Sequence, residues 1–253
     1  MALIPYLGGK SRLAKTIIER MPAHDCYVEV FAGGASVFFA KEPSKTELIN
    51  DMDRELVTLY RVVKNHPIEL HRQFELVLVA RAEFDRLMAA NPDTLTDVQR
   101  AARYLYLQRT CYGARVNRRT FGTVTVGKPH LNLFTLQGIL EEAWRRLANV
   151  QIECLDWREL IPRYDRNYTL FYLDPPYWEM PYYEHNFEEQ DFADLADMLA
   201  GIKGKFLMSI NDTPEVRELF GRFDIEEVRL KYSASRNPDG RNQLRTELLI
   251  RNF

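Results

Sequence analysis

Residues 26–36, CYVEVFAGGAS, set the expected fold. The first six residues are rich in β-branched and aromatic side chains, which predicts a short buried strand. Gly33 and Gly34 break this pattern, and residues 35–41 predict a helix. A strand that passes through a glycine turn into a helix is typical of α/β proteins.

The same alternation continues on both sides of this stretch. Further strands are predicted at residues 46–49, 150–154, 170–173 and 206–210, and helices at residues 11–20, 54–64, 136–147, 192–202 and 215–220. Strands that alternate with helices indicate an α/β fold, in which a mostly parallel, Rossmann-like sheet carries helices on both faces. Two apolar alternations, at residues 225–232 and 246–251, predict a terminal antiparallel strand pair.

One region interrupts the alternation, from about residue 55 to residue 135. It is mostly helical as far as residue 109, with a break near Asn91 and Pro92, and the turns and short polar strands that follow predict a β-hairpin at residues 112–129. We therefore expect a main domain formed by residues 1–55 and 136–253, and an inserted, mostly helical domain at residues 56–135.

The composition is that of a globular protein, with 46% hydrophobic and 28% charged residues among 253. No run approaches the length of a membrane span, and residues 1–10 lack the apolar core of a secretory signal. Three cysteines far apart in sequence suit a reducing compartment, and the five histidines have no metal-ligand spacing. These features predict a cytoplasmic protein without a metal, membrane contact or an obligate protein partner.

The glycine turn is followed eighteen residues later by Asp51, just after the second predicted strand. Glycine lets a ligand approach the backbone closely, and a carboxylate at this position suits the hydroxyl groups of a ribose. The motif is an imperfect GxGxxG, so two interpretations stay open. One is a nucleotide-type cofactor site; the other is a tight turn and a helix-capping acid.

The second motif, Asp174-Pro175-Pro176-Tyr177, follows the apolar strand at residues 170–173. Two prolines cannot continue a sheet ladder, so the chain leaves the sheet at the edge where α/β proteins bind ligands. Asp174 can accept a hydrogen bond from an amino group, and the carbonyl of Pro175 can accept a second because Pro176 has no N–H. Tyr177 offers a stacking face. A rigid turn with a capping acid is the alternative.

Together these motifs resemble the Dam-like family of DNA adenine-N6 methyltransferases, in the same order and over nearly the whole chain. The matching segments are residues 5–10 (PYLGGK), 28–36 (VEVFAGGAS), 50–53 (NDMD) with Leu56, Val57 and Tyr60, 105–109 (LYLQR), 154–157 (CLDW), 174–177 (DPPY) and 247–249 (ELL). Three departures are visible. The family's first aromatic residue is often Trp and is Tyr6 here, and its FxGxGS is FAGGAS here. Residues 112–127 differ most, so the resemblance does not imply a recognition sequence.

The resemblance implies S-adenosylmethionine as methyl donor and adenine N6 in double-stranded DNA as acceptor. It implies that the main domain is catalytic and that residues 56–135 recognise the target. The implied cofactor contacts are Tyr6, Lys10, Phe31, Gly33, Asp51, Asp156 and Asp174, and the implied catalytic residues are Asp174, Pro175, Pro176 and Tyr177. It also implies a bacterial cell or a phage-infected host.

The distribution of charge indicates a surface for DNA. Residues 98–140 contain no Asp or Glu, although the chain as a whole has a net charge of −2. Such a segment attracts phosphates, and Arg and Asn can also contact base edges. The residues predicted to contact DNA are Arg109, Arg115, Asn117, Arg118, Arg119 and Lys128.

A second basic cluster follows near the C-terminus, with a loop predicted at residues 233–242 beside the DNA. Its members are Arg229, Lys231, Arg236, Arg241 and Arg245. A solvated charged face is the alternative interpretation for both clusters.

A stacked adenine cannot reach a methyl donor, so the expected reaction begins with a base flipped out of the duplex. The aromatic residues 177–183 are predicted to form a lid over it. An acceptor in RNA or a protein glutamine is one alternative, and a non-catalytic DNA-binding remnant of a methylase is another.

Overall fold

The computed structural model describes residues 3–127, 131–178, 186–231 and 244–253, and within these it forms seven strands and ten α-helices. The strands are β1 Cys26–Glu29, β2 Thr46–Asn50, β3 Gln151–Glu153, β4 Thr169–Leu173, β5 Lys205–Asn211, β6 Asp224–Lys231 and β7 Leu244–Arg251. The helices are α1 Ala14–Ile18, α2 Ser36–Ala40, α3 Arg54–Asn65, α4 Pro67–Arg72, α5 Arg81–Ala89, α6 Asp97–Thr110, α7 Leu133–Leu147, α8 Trp157–Tyr164, α9 Glu189–Gly201 and α10 Pro214–Leu219.

The seven strands make one sheet in the order β3-β2-β1-β4-β5-β7-β6. Strands β1 to β5 are parallel, and β7 pairs antiparallel with both β5 and β6. The predicted α/β fold with a terminal antiparallel pair is therefore confirmed. Because β1 lies between β2 and β4, the strand order reverses there, and a crevice opens at the carboxyl ends of β1 and β4.

Alternating side chains of the strands enter two hydrophobic cores. In β4, Leu170 and Tyr172 face one core, whereas Phe171 and Leu173 face the other. Helices α3, α6 and α7 contribute to the first core, and α8, α9 and α10 contribute to the second. This period of two places a helix layer on each face of the sheet.

The predicted insertion boundaries do not coincide with the ends of a structural unit. Residues 55 and 56 both lie within α3, and residues 135 and 136 both lie within α7. Moreover, α3 and α6 share their core with the strands of the sheet. A separate recognition domain stays a proposal, and these boundaries do not delimit it.

Two local predictions differ from the structure. Helix α8 was not expected, although Asp156 accepts a hydrogen bond from the Arg158 amide and so caps it. The predicted β-hairpin is wrong within residues 112–127: a 3₁₀ turn at Tyr112–Ala114 and a single antiparallel bridge between Cys111 and Phe121 stand there. Left-handed residues, including Gly113 and Arg118, prevent a continuous ladder.

Candidate active site

A cavity of about 380 Å³ lies at the carboxyl ends of β1, β2 and β4, which we call the catalytic edge. The predicted cofactor residues all line this cavity: Tyr6, Lys10, Phe31, Gly33, Asp51, Asp156 and Asp174. Pro176 of the proline tetrad also lines it. The volume is within the roughly 300–1,000 Å³ of small-molecule sites. The fold thus unites residues that are up to 168 positions apart, from Tyr6 to Asp174.

The glycine turn is shaped by the ring of Tyr6. A Cβ atom on Gly33 would lie 2.9 Å from a ring carbon of Tyr6, and one on Gly34 would lie 2.8 Å from the Tyr6 Cβ. Gly33 also has a φ of +47°, and Ala35 keeps a left-handed φ of 48°. The position of the family's second glycine is thus held by Ala35, which is left-handed like Gly33, while Gly34 allows the close approach of Tyr6.

Asp51 holds this turn from the end of β2. Its carboxylate accepts a hydrogen bond from the Gly33 amide at 2.8 Å and another from the Asp53 amide at 2.9 Å. The hydroxyl of Tyr60 donates to the Gly33 carbonyl at 2.6 Å. Of the two interpretations of Asp51, ligand contact or a structural acid, the structure supports a structural role because Asp51 fixes the backbone of the glycine turn, and it leaves the ligand contact possible because Asp51 also lines the cavity.

Asp174 lies at the end of β4 and is paired with Lys10. The Lys10 ammonium is 2.5 Å from Asp174 Oδ1, and the Ser209 hydroxyl donates to the same oxygen at 3.3 Å. Burial raises the pKa of Asp174 to about 6, although Lys10 acts in the opposite direction. Burial lowers the pKa of Lys10, but attraction by Asp174, Tyr177 and Glu247 outweighs it, so the pKa is raised. Both groups are charged at neutral pH.

The rest of the tetrad is held by the neighbouring strands. Pro175 is buried, and the hydroxyl of Tyr177 donates a hydrogen bond to Glu247 Oε1. The Trp178 amide donates to Asn211 Oδ1 at 3.0 Å. The predicted lid at residues 177–183 lies outside the described residues beyond Trp178.

Several cavity residues had not been selected from the sequence. Among them are Glu29, Val116, Trp157 and Phe187. Glu29 accepts a hydrogen bond from Tyr27, and burial raises its pKa to about 8. An acidic residue inside the apolar run of β1 was a usable signal for Glu29. Phe187 contacts Phe31 edge-to-face with ring centroids 5.6 Å apart, and no sequence pattern indicates that contact.

The residues predicted to bind DNA lie in different surroundings. Arg115 and Arg118 are exposed on residues 111–127, which we call the recognition segment, and Asn117 is half-buried there. Arg119 stacks over the ring of Tyr104, with its guanidinium carbon 4.8 Å from the centroid. Val116 of this segment lines the catalytic cavity. The recognition segment therefore adjoins the site, and its contact with DNA stays a prediction.

Three other arginines of the acid-free stretch make internal contacts. Arg109 donates to the Leu3 carbonyl at 2.6 Å and is partly buried, so the structure gives it a packing role. Arg100 and Arg103 both pair with Glu55 of α3. The acid-free stretch therefore presents less positive charge at the protein surface than the sequence predicts.

The remaining basic positions are only partly described. Lys128, Arg236 and Arg241 lie outside the described residues, and so does the loop predicted at 233–242. Arg229 is exposed on β6. Contacts of this second cluster with DNA stay a prediction.

Residues 6–234 match the model of a known family, the D12 class N6 adenine-specific DNA methyltransferases. The chain belongs to this family. The methyltransferase is 28% identical to the type II methyltransferase M.MjaIII of Methanocaldococcus jannaschii, over the full length of both chains. It is 27% identical to the DNA adenine methylase of Escherichia coli K12, over 96% of this chain and 92% of that relative. Its acceptor is therefore adenine in DNA, and its methyl donor is S-adenosylmethionine.

Among solved structures, a SAM-dependent methyltransferase from Agrobacterium tumefaciens superposes with a TM-score of 0.39 at 11% identity, over 95% of this chain and 59% of its own. No helix among the described residues has the length and apolarity needed to cross a membrane. No three His, Cys, Asp or Glu side chains are grouped as a metal site needs in the described part of the chain.

The catalytic edge fits the family's cofactor. The cavity has the volume of a small-molecule site, and its glycine loop is bare of side chains where Gly33 and Gly34 pack on Tyr6. A carboxylate, Asp51, stands at the end of the neighbouring strand β2, the position that suits ribose hydroxyls. Ala35, at the point where the motif departs from the family, is itself left-handed and lines the same cavity.

Proposed function

We propose that this methyltransferase modifies N6 of an adenine that is flipped out of double-stranded DNA into the catalytic edge. The observation that carries the proposal is the position of Asp174, which lies at the end of β4 and lines the same cavity as the glycine loop. S-adenosylmethionine supplies the electrophilic methyl group. A duplex base is stacked out of reach, so flipping is required and costs a few kcal/mol.

The tetrad holds the amino group in this proposal. Asp174 accepts one N6 hydrogen and the carbonyl of Pro175 accepts the other, because Pro176 has no N–H to engage that carbonyl. Two acceptors draw the amine from planar toward tetrahedral geometry, which makes its lone pair available to the methyl group. As the methyl group moves from sulfur to N6, S-adenosylhomocysteine would be released, and the surplus N6 proton would pass to the Asp174 carboxylate and from there to solvent. Tyr177 stacks on the base. Orientation within a closed site then provides most of the rate enhancement.

In this proposal the cofactor residues contact different parts of S-adenosylmethionine. Asp51 is suited to the ribose hydroxyls, while Tyr6 and Phe31 provide apolar walls and Asp156 lies at the capped start of α8. Gly33 lets the ring of Tyr6 pack against the loop beside the cavity. Lys10 also lines the cavity, and its ammonium forms an ion pair with the Asp174 carboxylate.

The DNA approaches over the recognition segment in this proposal. Arg115, Arg118 and Arg119 provide positive charge for phosphates or guanine edges, and Asn117 suits an adenine edge. Arg109 and Lys128 remain weaker candidates, the first because of its bond to Leu3. The protein acts in the cytoplasm, where its three cysteines stay reduced.

The test is methyl transfer from tritiated S-adenosylmethionine to methylase-free bacterial DNA, in duplex and heat-denatured form, with RNA as a third acceptor. We expect wild-type activity on the duplex and a loss of about 10³-fold in Asp174→Ala, because one of the two amine acceptors is removed. Asp174→Asn keeps one acceptor oxygen and should retain intermediate activity. Isothermal titration with S-adenosylmethionine checks that the cofactor still binds.

Two outcomes would contradict this proposal. Full activity of Asp174→Ala would remove the tetrad from the mechanism. Labelling of RNA but not of duplex DNA would replace the acceptor, although the family assignment would stand.

A further inference from the structure

We propose that Glu247 is a positioning residue for methyl transfer: it fixes the ring of Tyr177 and retains the Lys10 ammonium when the target amino group takes its place at Asp174. This inference rests on the proposed function. It assigns a role to the last matching motif, ELL at residues 247–249, which the mechanism above does not use.

The first support is that one carboxylate contacts two groups of the site. Glu247 Oε1 accepts a hydrogen bond from the Tyr177 hydroxyl and lies 3.3 Å from the Lys10 ammonium. Its side chain is only 9% exposed. A buried carboxylate requires such partners, and here both belong to the catalytic edge.

The second support is the sheet itself. Because β7 runs antiparallel, its early residue Glu247 stands beside Asn211 at the carboxyl end of β5. Asn211 accepts a hydrogen bond from the Trp178 amide at 3.0 Å, and Glu247 accepts one from Tyr177. Asn211 and Glu247, which pair across neighbouring strands, therefore hold Trp178 and Tyr177, the two residues that follow the prolines. A stacking ring gains from such fixation because its orientation is set before the base arrives.

The third support is the position of Lys10. Its ammonium lies 2.5 Å from Asp174, 3.3 Å from Glu247, 3.2 Å from the Gly8 carbonyl and 4.7 Å from the Tyr177 ring centroid. The N6 amino group must bond to the same Asp174 carboxylate that Lys10 occupies. When it does so, Glu247 and Gly8 remain as partners for the ammonium, so its charge stays neutralised. Without the Glu247 charge, Lys10 is held at Asp174 and competes with the base.

The test compares Glu247→Gln with wild type in single-turnover methylation of unmethylated bacterial duplex DNA. Glutamine keeps an oxygen acceptor for Tyr177 but removes the charge that faces Lys10. We expect the rate to fall about tenfold, as for the loss of one charge-assisted hydrogen bond, while the Kd for S-adenosylmethionine changes less than about twofold. Glu247→Ala removes both contacts and should fall further.

The pH profile gives a readout that a purely structural role would not move. The groups that face Asp174 are Lys10, Glu29, Tyr172, Tyr177, Ser209 and Glu247. Among them Glu247 raises the pKa of Asp174 by its negative charge. Glu247→Gln should therefore shift the acid limb of the rate profile to lower pH, in addition to lowering the rate.

A matched control is Glu47→Gln. Glu47 is also a buried glutamate on a strand, paired with Lys41 at 2.6 Å and with Arg146, but it lies at the beginning of β2, away from the catalytic edge. We expect it to lower thermal stability and leave the rate and the pH limb unchanged. If Glu247→Gln does not fold, Tyr177→Phe tests the ring contact from the other side and should lower the rate several-fold.

Three results would overturn the inference while the proposed function stands, provided that the wild type methylates duplex DNA and Asp174→Ala does not. They are a wild-type rate and pH limb in Glu247→Gln, an equal rate loss in Glu47→Gln, or a wild-type rate in Tyr177→Phe. An inactive wild type on duplex DNA would instead refute the proposed function.

Discussion

The catalytic edge and the recognition segment are neighbours built in opposite ways. At the catalytic edge, Asp51 and Asp174 stand at strand ends and make hydrogen bonds with backbone or buried side chains. The recognition segment has one β-bridge, between Cys111 and Phe121, and several left-handed residues. The first region is set by strand register, and the second by a few local contacts. The chemistry can therefore stay constant while the segment that is predicted to contact DNA varies.

The two regions are nevertheless joined. The Leu7 amide donates to the Ala114 carbonyl at 3.0 Å, and the Gln108 side chain donates to the carbonyls of Pro5 and Ala114 at 2.9 Å each. The segment that carries Tyr6 and Lys10 is thus bonded directly to the recognition segment. These hydrogen bonds fix the position of the recognition segment relative to Tyr6 and Lys10, which line the cavity.

Among the substitutions that compare these two regions, the largest effect is expected from Gly33→Ala, which tests how rigid the catalytic edge is. The new methyl group would stand 2.9 Å from the Tyr6 ring, and the φ of +47° costs a non-glycine residue roughly 1–2 kcal/mol. We expect the Kd for S-adenosylmethionine to rise about tenfold to a hundredfold, measured by isothermal titration.

Gly138→Ala is the control for this substitution. Nothing lies within 4 Å of a Cβ at Gly138, which is in α7, so alanine should stabilise the helix by about 0.5–1 kcal/mol. Unchanged cofactor affinity in Gly33→Ala would show that the loop adapts, and the contrast with the recognition segment would weaken.

The features that the sequence predicts correctly are those that depend on neighbouring residues along the backbone. The strand at residues 26–29, the glycine turn and Asp174 after β4 follow from side-chain period, the absence of Cβ and the missing proline N–H. The same logic located the cavity, because the carboxyl ends of adjacent parallel strands must converge. This accounts for Asp51 and Asp174, whereas Tyr6 and Lys10 precede the first strand and were implied only by the family resemblance; all seven residues line one cavity.

The sequence does not indicate contacts that depend on a partner far away along the chain. Arg109 stays a predicted DNA contact, but its guanidinium also donates to the Leu3 carbonyl, which is 106 positions away. Glu247 lies within the apolar alternation at residues 246–251, which gives no sign of its partner. Only the antiparallel register of β7 brings it to Tyr177. The β-hairpin failed because left-handed residues such as Arg118 interrupt a pattern that composition alone suggested.

A smaller effect is expected from pH and is confined to the catalytic edge. Asp174 must be a carboxylate to accept the amine, and burial raises its pKa to about 6. The methylation rate at limiting DNA should therefore fall as the pH drops through 6, about tenfold by pH 5. Rates between pH 5 and 8, with DNA binding measured in parallel, check this.

The contribution of Asp174 to folding stability changes with pH in the opposite direction to the methylation rate. A loss of rate at low pH can therefore be told apart from unfolding. A carboxyl group whose folded pKa is raised contributes stability below its unfolded value of 3.8, and this is lost as the pH rises through about 6. At pH 5 the contribution of Asp174 to folding is thus larger than at pH 7, while activity is lower. A rate that stays flat to pH 5 would contradict the assignment of the carboxylate as acceptor.

The smallest effect is expected in the recognition segment, from the pair Arg115→Ala and Arg118→Gly. Both arginines are exposed, and glycine preserves the left-handed φ of 46° at residue 118, so the loss reflects charge and not backbone strain. If both contact phosphates, the slope of log affinity against log salt should decrease by about 1.8, equally on every DNA sequence. If either contacts a base, modification mapping should show relaxed specificity at one position instead.

Arg222→Ala, an exposed arginine paired with Asp197, is the control and should change neither quantity. In both cases the rate at saturating DNA should be retained, since Asp174 and Tyr177 are untouched; a large loss there would mean that the recognition segment also shapes the catalytic edge, through the Leu7–Ala114 bond.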